Sequence, residues 1–223
     1  MSEITAAPVT SLALSRLDWL RRFAGPTALA VGPVLMLSGM ALHEQWVGPG
    51  EPDETFIRTV EGSLTQWGIS HFLLTAGLAL MAGGATTIFR LARGRGAVLT
   101  AMSATAVVLG AALMSLSDLL HGFLQYALAG QVDAATSLTI QEAYFSLPAN
   151  AVLNTGATLL PLGFVVLAVG LLRSRAVPRW AALVLLLGPV GIMLGFEFHS
   201  LTLILGLPLV VGLAALARAI ARR

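Results

Sequence analysis

The sequence contains no cysteine and no lysine. The first absence excludes disulfides, thiolate metal sites and cysteine nucleophiles. The second makes arginine the only source of fixed positive charge, and there are thirteen arginines. Charge of either sign is scarce: Asp, Glu, Lys and Arg make up 11% of 223 residues, against 57% hydrophobic residues. So little charge cannot clothe a soluble globule, and the apolar runs are too long for a soluble helix to bury, so the chain belongs in a bilayer. The net charge of +2 arises from arginines segregated along the chain, not from a basic face, so no nucleic-acid partner is expected. Neither G-x-S-x-G nor H-E-x-x-H occurs, and Gly83-Gly84 lies within an apolar run that suits close helix packing rather than a phosphate loop.

Six runs are long enough to cross a hydrocarbon core of about 30 Å at about 1.5 Å per residue. They are Ala24 to His43, Gly68 to Arg90, Ala97 to His121, Asn150 to Leu172, Pro178 to Phe196 and Ser200 to Ala219. Twelve arginines fall in four places: the amino terminus, the Arg90 to Arg95 turn, the Arg173 to Arg179 turn and the Arg218 to Arg223 tail. Six crossings put all four on one side, which the positive-inside bias makes cytoplasmic. The expected fold is therefore an all-α integral membrane bundle of six transmembrane helices with both termini cytoplasmic. Its parts are an amino-terminal segment (1–23), with no signal-cleavage pattern, a single membrane domain (24–219) and a short tail (220–223). A bias to Ala, Arg, Leu and Gly without lysine matches high-GC bacterial usage, so the expected location is a bacterial plasma membrane.

Two outer segments have structure of their own. After Asp53, a plausible N-cap, Phe56, Ile57, Val60, Leu64 and Trp67 recur at helical spacing opposite Glu54, Arg58 and Glu61, as in an amphipathic helix lying on a membrane. The second segment predicts a helix from about Asp133 to Ser146, broken by Pro148. Either could act as a lid. A weaker pattern links Arg93-Gly-Arg95, Asp118 and His121 with Arg173-Ser-Arg175, Glu197 and His199, as a parallel repeat would.

Depth measured from the arginines places the polar side chains in one layer. His71, Asn154 and His199 each lie nineteen residues from Arg90, Arg173 and Arg218, about 28 Å above them. His43 and Glu44 close the first span, Asp118 and His121 the third, and Glu197 the fifth. Helix ends are commonly polar, where they meet water and headgroups. The repeated choice of imidazole and carboxylate nonetheless points to a site. Neutral imidazole with carboxylate suits zinc, iron or copper, so the candidate metal ligands are His43, His71, Asp118, His121 and His199. Asp118, Glu197 and Glu44 are the candidate acid and base groups. Asp118 and His121 are three apart, sharing a helix face as the acidic-x-x-His pairs of helical di-metal sites do. Methionines precede both boundary histidines, as Met36, Met40 and His43 and as Met114, Asp118 and His121; thioethers suit Cu(I) but more often fill gaps. A haem held between two histidines lacks any dedicated attachment motif. Asn150, Asn154 and Thr158 form a polar stripe that could line a substrate cavity, which kinks at Pro33, Pro161, Pro189 and Pro208 would help open.

At His43, Trp67 to His71, Pro161-Leu-Gly163 and Leu171-Leu-Arg-Ser-Arg-Ala-Val-Pro-Arg-Trp180, the chain resembles a loose group of uncharacterised multi-span proteins of high-GC Gram-positive bacteria. The resemblance implies the six-helix topology and supplies no activity. Three readings follow from the residues. In the first, the protein binds a metal, with metal-activated water or oxygen acting on a lipid-like substrate if it is an enzyme. In the second, it is a small transporter or proton-coupled permease using the same groups. In the third, it is a metal-free acid/base enzyme acting on an apolar substrate. The bilayer is the one partner expected in all three.

Overall fold

A computed structural model describes residues 9–43, 54–195 and 199–223. Every regular element in it is helical, and no strand occurs among the described residues. The elements are α1 (Val9–Leu42), α2 (Glu54–Gly62), α3 (Leu64–Ala85), a 3₁₀ turn (Thr86–Leu91), α4 (Ala97–Leu128), α5 (Ala134–Ser146), α6 (Pro148–Ser174), α7 (Arg179–Gly195) and α8 (His199–Ala221). Four stretches are long and apolar enough to cross a membrane: Asp18–Leu42, Leu64–Leu91, Ala97–Leu128 and Pro148–Ser174. Two shorter apolar helices, Arg179–Val190 and Gly206–Ala221, accompany them. The exterior is apolar: Phe72, Val98, Met102, Val152, Leu187 and Ile204 are all exposed. The interior, by contrast, accepts Ser70, Thr100 and Ser103. Hydroxyl residues among the large apolar ones of the core, with a surface as apolar as the interior, is the arrangement of a protein solvated by lipid.

The six long helices form a closed ring of neighbours in the order α1, α3, α4, α6, α7, α8 and back to α1. They pair as three hairpins, α1 with α3, α4 with α6 and α7 with α8, and glycine sets how closely each pair approaches. A Cβ on Gly32 would meet the Gly77 carbonyl oxygen at 2.7 Å, one on Gly39 would meet that of Ser70 at 2.7 Å, and one on Gly156 would meet that of Gly110 at 2.8 Å. With no Cβ, backbones touch directly, and dispersion between them replaces a hydrophobic force that lipid does not supply.

One register recurs in all three hairpins. An added Cβ on Gly32, Gly110 or Gly188 runs into Met81, Leu160 or Leu209, and one on Gly84, Gly163 or Gly212 runs into Leu29, Val107 or Leu185. In the first helix of each pair these positions repeat at a spacing of 78 residues, as Leu29, Val107, Leu185 and as Gly32, Gly110, Gly188, and the same spacing relates His43 and His121 to His199, which opens α8. The likeness between the third and fifth apolar runs thus extends to the first, and the chain is built from three related hairpins.

The four arginine-bearing segments meet at one end of the ring. Arg22 Nε donates to the Ala221 carbonyl (3.0 Å) and Arg223 to that of Ala176 (3.4 Å). Gly96, at φ +92°, lets the turn before α4 lie against the Gly170 carbonyl oxygen, 2.6 Å from where a Cβ would sit. The first two hairpins carry their short helices at the opposite end, where α2 packs against α5. There the expectation of a membrane-surface helix is corrected. Phe56, Ile57 and Val60 are buried on Trp67, with Leu64, Ala134 and Leu138 packed around them, so the apolar face of α2 is covered by protein. The helix is also shorter than its periodicity implies. It stops at Gly62, Ser63 leaves the helical region (φ −133°), and Leu64 and Trp67 belong to α3. Asp53 lies outside the described residues. In the second outer segment Asp133 caps α5, accepting from the Thr136 amide at 2.8 Å. Pro148 does not so much break α5 as start α6: it occupies the first turn, where its missing N–H costs nothing. Pro33, Pro161, Pro189 and Pro208 all lie inside continuous helices.

Candidate functional site

At the end of the ring opposite the arginines, three imidazoles surround one indole. Trp67, in the first turns of α3, is fully buried. Its ring centroid is 4.1 Å from that of His71, 4.9 Å from His43 and 5.8 Å from His121. Phe56 of α2 closes the far side edge-on at 5.7 Å. Each ring comes from a different place: His43 from the end of α1, His71 one helical turn along α3 from Trp67, and His121 from α4. The His71 centroid is 5.0 Å from that of His43 and 5.8 Å from that of His121.

His71 sits this close to α4 because Gly122 faces it, where a Cβ would come within 2.7 Å of the imidazole Cβ, Cγ and Cδ2. The Gly122 carbonyl also accepts from Trp67 Nε1 at 3.4 Å. The two nitrogens of His71 are distinguished by their surroundings. Nδ1 lies 3.1 Å from the Trp67 carbonyl oxygen, which can only accept, so Nδ1 carries the proton and Nε2 keeps its lone pair. Nε2 points at Asp118 Oδ1, 3.9 Å away, beyond hydrogen-bond distance. Asp118 Oδ2 accepts from Thr75 Oγ1 at 3.3 Å, and the Thr75 carbonyl accepts from Ser115 Oγ at 3.0 Å. His121 Nε2 is buried and has no hydrogen-bond partner.

The expected site residues therefore separate into groups. His43, His71, Asp118 and His121 come together, with Asp118 and His121 both turned toward α3. No group of three His, Asp or Glu residues among the described ones is spaced to hold a metal ion. Glu44 and Glu197 lie outside the described residues, and His199 is placed only as the first residue of α8. The amide stripe splits: Asn150 is buried, while Asn154 and Thr158 are exposed on the outer face of α6. Asn154 Oδ1 accepts from Ser117 Oγ at 3.3 Å, so Ser117 is engaged with α6 and Ser115 with α3, and neither serves His121 as a nucleophile would. Met36 is buried in the apolar core, and Met40 and Met114 pack against it as gap fillers.

Residues 24–222 match the model of a family described as a domain of unknown function (DUF4386). The chain belongs to that family. No curated protein and no solved structure matches it. This DUF4386 domain takes in all three hairpins, so the repeat and the ringed indole both lie within it. Trp67, Thr75 and Gly122 are the members of its candidate site that residue chemistry alone passed over. The one sequence signal for Gly122 was its place immediately after His121 on an apolar run.

Proposed function

We propose that this is a six-span membrane protein with cytoplasmic termini whose opposite end binds a divalent transition metal, zinc, iron or copper. The closed ring of six helices with four arginine-bearing segments at one end supports the topology. The observation that carries the metal reading is His71: its Nδ1 is anchored on a backbone carbonyl, the usual outer-shell arrangement of a ligating histidine, and its free Nε2 faces a carboxylate across 3.9 Å. That gap is too wide for a hydrogen bond and somewhat wider than the roughly 3.4 Å that separates two ligand atoms on a tetrahedral ion with bonds of about 2.0–2.2 Å, so a bound ion would draw the two side chains together. His71 and Asp118 would be the first two ligands. His121, with its unpartnered Nε2, and His43 are the nearest candidates to complete the set, with His199, Glu44 and Glu197 as further candidates by sequence position. Bound metal measured by mass spectrometry on detergent-purified protein, after loading with zinc, iron and copper in turn, tests the reading. Stoichiometric metal in the parent that disappears in His71→Gln and Asp118→Asn supports it; loss of none, or no metal in the parent, overturns it.

One observation favours a second reading, a proton-coupled permease. Asp118, Thr75 and Ser115 make a polar chain down the seam between α3 and α4, away from the indole and into the ring. Protein in liposomes that dissipates a proton gradient without bound metal, and stops doing so as Asp118→Asn, would establish this reading in place of the first.

A further inference from the structure

Buried polar atoms without a partner are concentrated in one part of this molecule. Six such side-chain atoms occur among the described residues, and five of them belong to the stretch from the end of α4 to the start of α6: His121 Nε2, Gln125 Nε2, Gln141 Oε1, Tyr144 Oη and Asn150 Oδ1. Leaving one buried polar group unsatisfied costs about 1–3 kcal/mol. Five within thirty residues of sequence are a standing cost that a partner would remove.

The placement is systematic. His121 and Gln125 lie four apart, on one face of α4. Ser137, Gln141 and Tyr144 lie along one face of α5, and the two residues that α5 buries, Ser137 and Gln141, are both polar. Asn150 occupies the first turn of α6, and its Nδ2 is already held by the Phe145 carbonyl at 3.3 Å, which leaves Oδ1 over. In the hairpin register Asn150 is the counterpart of His71, by the same spacing of 79 residues that relates Gly163 to Gly84. The second hairpin thus has its own polar end beside the first, with an amide where the first has an imidazole.

We propose that this end of the second hairpin, between α4, α5 and the start of α6, binds the head of an amphiphile carrying uncharged hydroxyl groups. The chemistry of the free atoms selects that class. Gln125 Nε2 only donates, Gln141 Oε1 and Asn150 Oδ1 only accept, and Tyr144 Oη and His121 Nε2 can do either. Hydroxyls, which give and take at the same oxygen, satisfy such a mixed set. The five atoms include no arginine and no carboxylate, so a phosphate or ammonium head would be buried among them without a counter-charge. The apolar part of the ligand has a place as well. Phe145, Leu147 and Val152, at the junction of α5 and α6, are exposed at 37%, 51% and 60%, a lipid-facing rim on which acyl chains can lie. His121 is the one residue shared with the metal reading, and the two proposals fail separately because metal content reads one and lipid retention the other.

The test uses the full chain in phosphatidylcholine nanodiscs doped with a minor fraction of either monoglucosyl diacylglycerol or phosphatidylglycerol, with lipid retained on re-purification quantified by mass spectrometry. The glucolipid should be enriched on the parent protein and phosphatidylglycerol should not. The Gln125→Leu/Gln141→Leu double variant should retain the glucolipid roughly tenfold less, as expected for the loss of two hydrogen bonds. Its thermal midpoint should be equal to or above the parent's, because two unsatisfied buried amides are replaced by apolar groups of similar volume. Tyr144→Phe, which removes one hydroxyl and little volume, gives a second reading of the same loss should the double variant fail to fold. No enrichment on the parent, equal enrichment of phosphatidylglycerol, or undiminished retention in the variants would overturn the proposal and leave ordered water as the occupant.

Discussion

Gly122 shows how much one absent methyl group controls. His71 reaches α4 only because no Cβ stands there, and the same residue's carbonyl holds the Trp67 indole. Gly122→Ala should push the imidazole away from Asp118 and destabilise the fold by roughly 1–3 kcal/mol, the cost of overpacking a filled site. The expected readouts are a lower thermal midpoint and an altered emission from buried Trp67, and an alanine variant matching the parent in both would refute the packing argument. Residue chemistry alone found the imidazoles and the carboxylate, because those side chains are rare in bilayers and mark their own depth. Trp67, Thr75 and Gly122 were not legible, since an indole, a hydroxyl and a glycine are ordinary in membrane helices, and only helix rotation shows which ones face a histidine. Asp133 was legible, and it yields a pH prediction. Hydrogen bonds from the Thr136 amide and hydroxyl hold its carboxyl below the ordinary carboxylate range. A carboxyl that is more acidic folded than unfolded stabilises the cap at pH above its unfolded value and loses that contribution as pH falls through its folded one. The protection of amides in the first turn of α5, measured as the exchange rate relative to the intrinsic rate at each pH, should therefore fall on acidification through that range. Asp133→Asn should flatten the response, because asparagine still caps without titrating.

At the level of helices, adjacent Gly83 and Gly84 make a direct comparison. A Cβ on Gly83 meets nothing within 4 Å, whereas one on Gly84 runs into the Leu29 backbone and the Gly25 carbonyl. Gly83→Ala is expected to be neutral or to stabilise by about 0.5–1 kcal/mol through helix propensity. Gly84→Ala should force α1 and α3 apart and destabilise by about 1–3 kcal/mol. Thermal unfolding in detergent should lower the midpoint of Gly84→Ala and leave that of Gly83→Ala unchanged or higher, and equal shifts would mean that glycine does not set the hairpin spacing. Hydrophobic runs located the long helices to within a few residues except at two ends: α1 begins at Val9 and not near Ala24, and α4 continues past His121 to Leu128. The short helices were harder to read, because period alone carried the amphipathic pattern of α2 through Ser63 into α3. The apolar face of α2 likewise had two possible covers, lipid or protein, and only the packing of α5 on it decides between them.

The whole molecule is three glycine-zipped hairpins closed into a ring, and the spacing that reveals this was in the sequence throughout. His43, His121 and His199 are evenly spaced, as are Gly32, Gly110 and Gly188. The period was obscured because only three residues separate α7 from α8, whereas a longer segment joins the helices of each of the first two hairpins, which leaves the second helices out of step: Gly84 and Gly163 are 79 residues apart, Gly163 and Gly212 only 49. A ring of hairpins makes a sharp topological demand. If each hairpin crosses the bilayer and returns, every connection between hairpins lies on one side and every connection within a hairpin on the other, with the termini on the side of the former. The absence of cysteine makes this directly measurable, since any thiol introduced will be unique. Arg93→Cys lies between the first and second hairpins and Gln131→Cys within the second, and both positions are exposed. In intact cells a membrane-impermeant maleimide should label Gln131→Cys and leave Arg93→Cys unlabelled until the membrane is broken. A third thiol, at exposed Arg175 between the second and third hairpins, should behave like Arg93→Cys. Labelling of the Arg93 and Arg175 positions from opposite sides would mean that the second hairpin does not return across the bilayer, and the six-span ring would have to be given up.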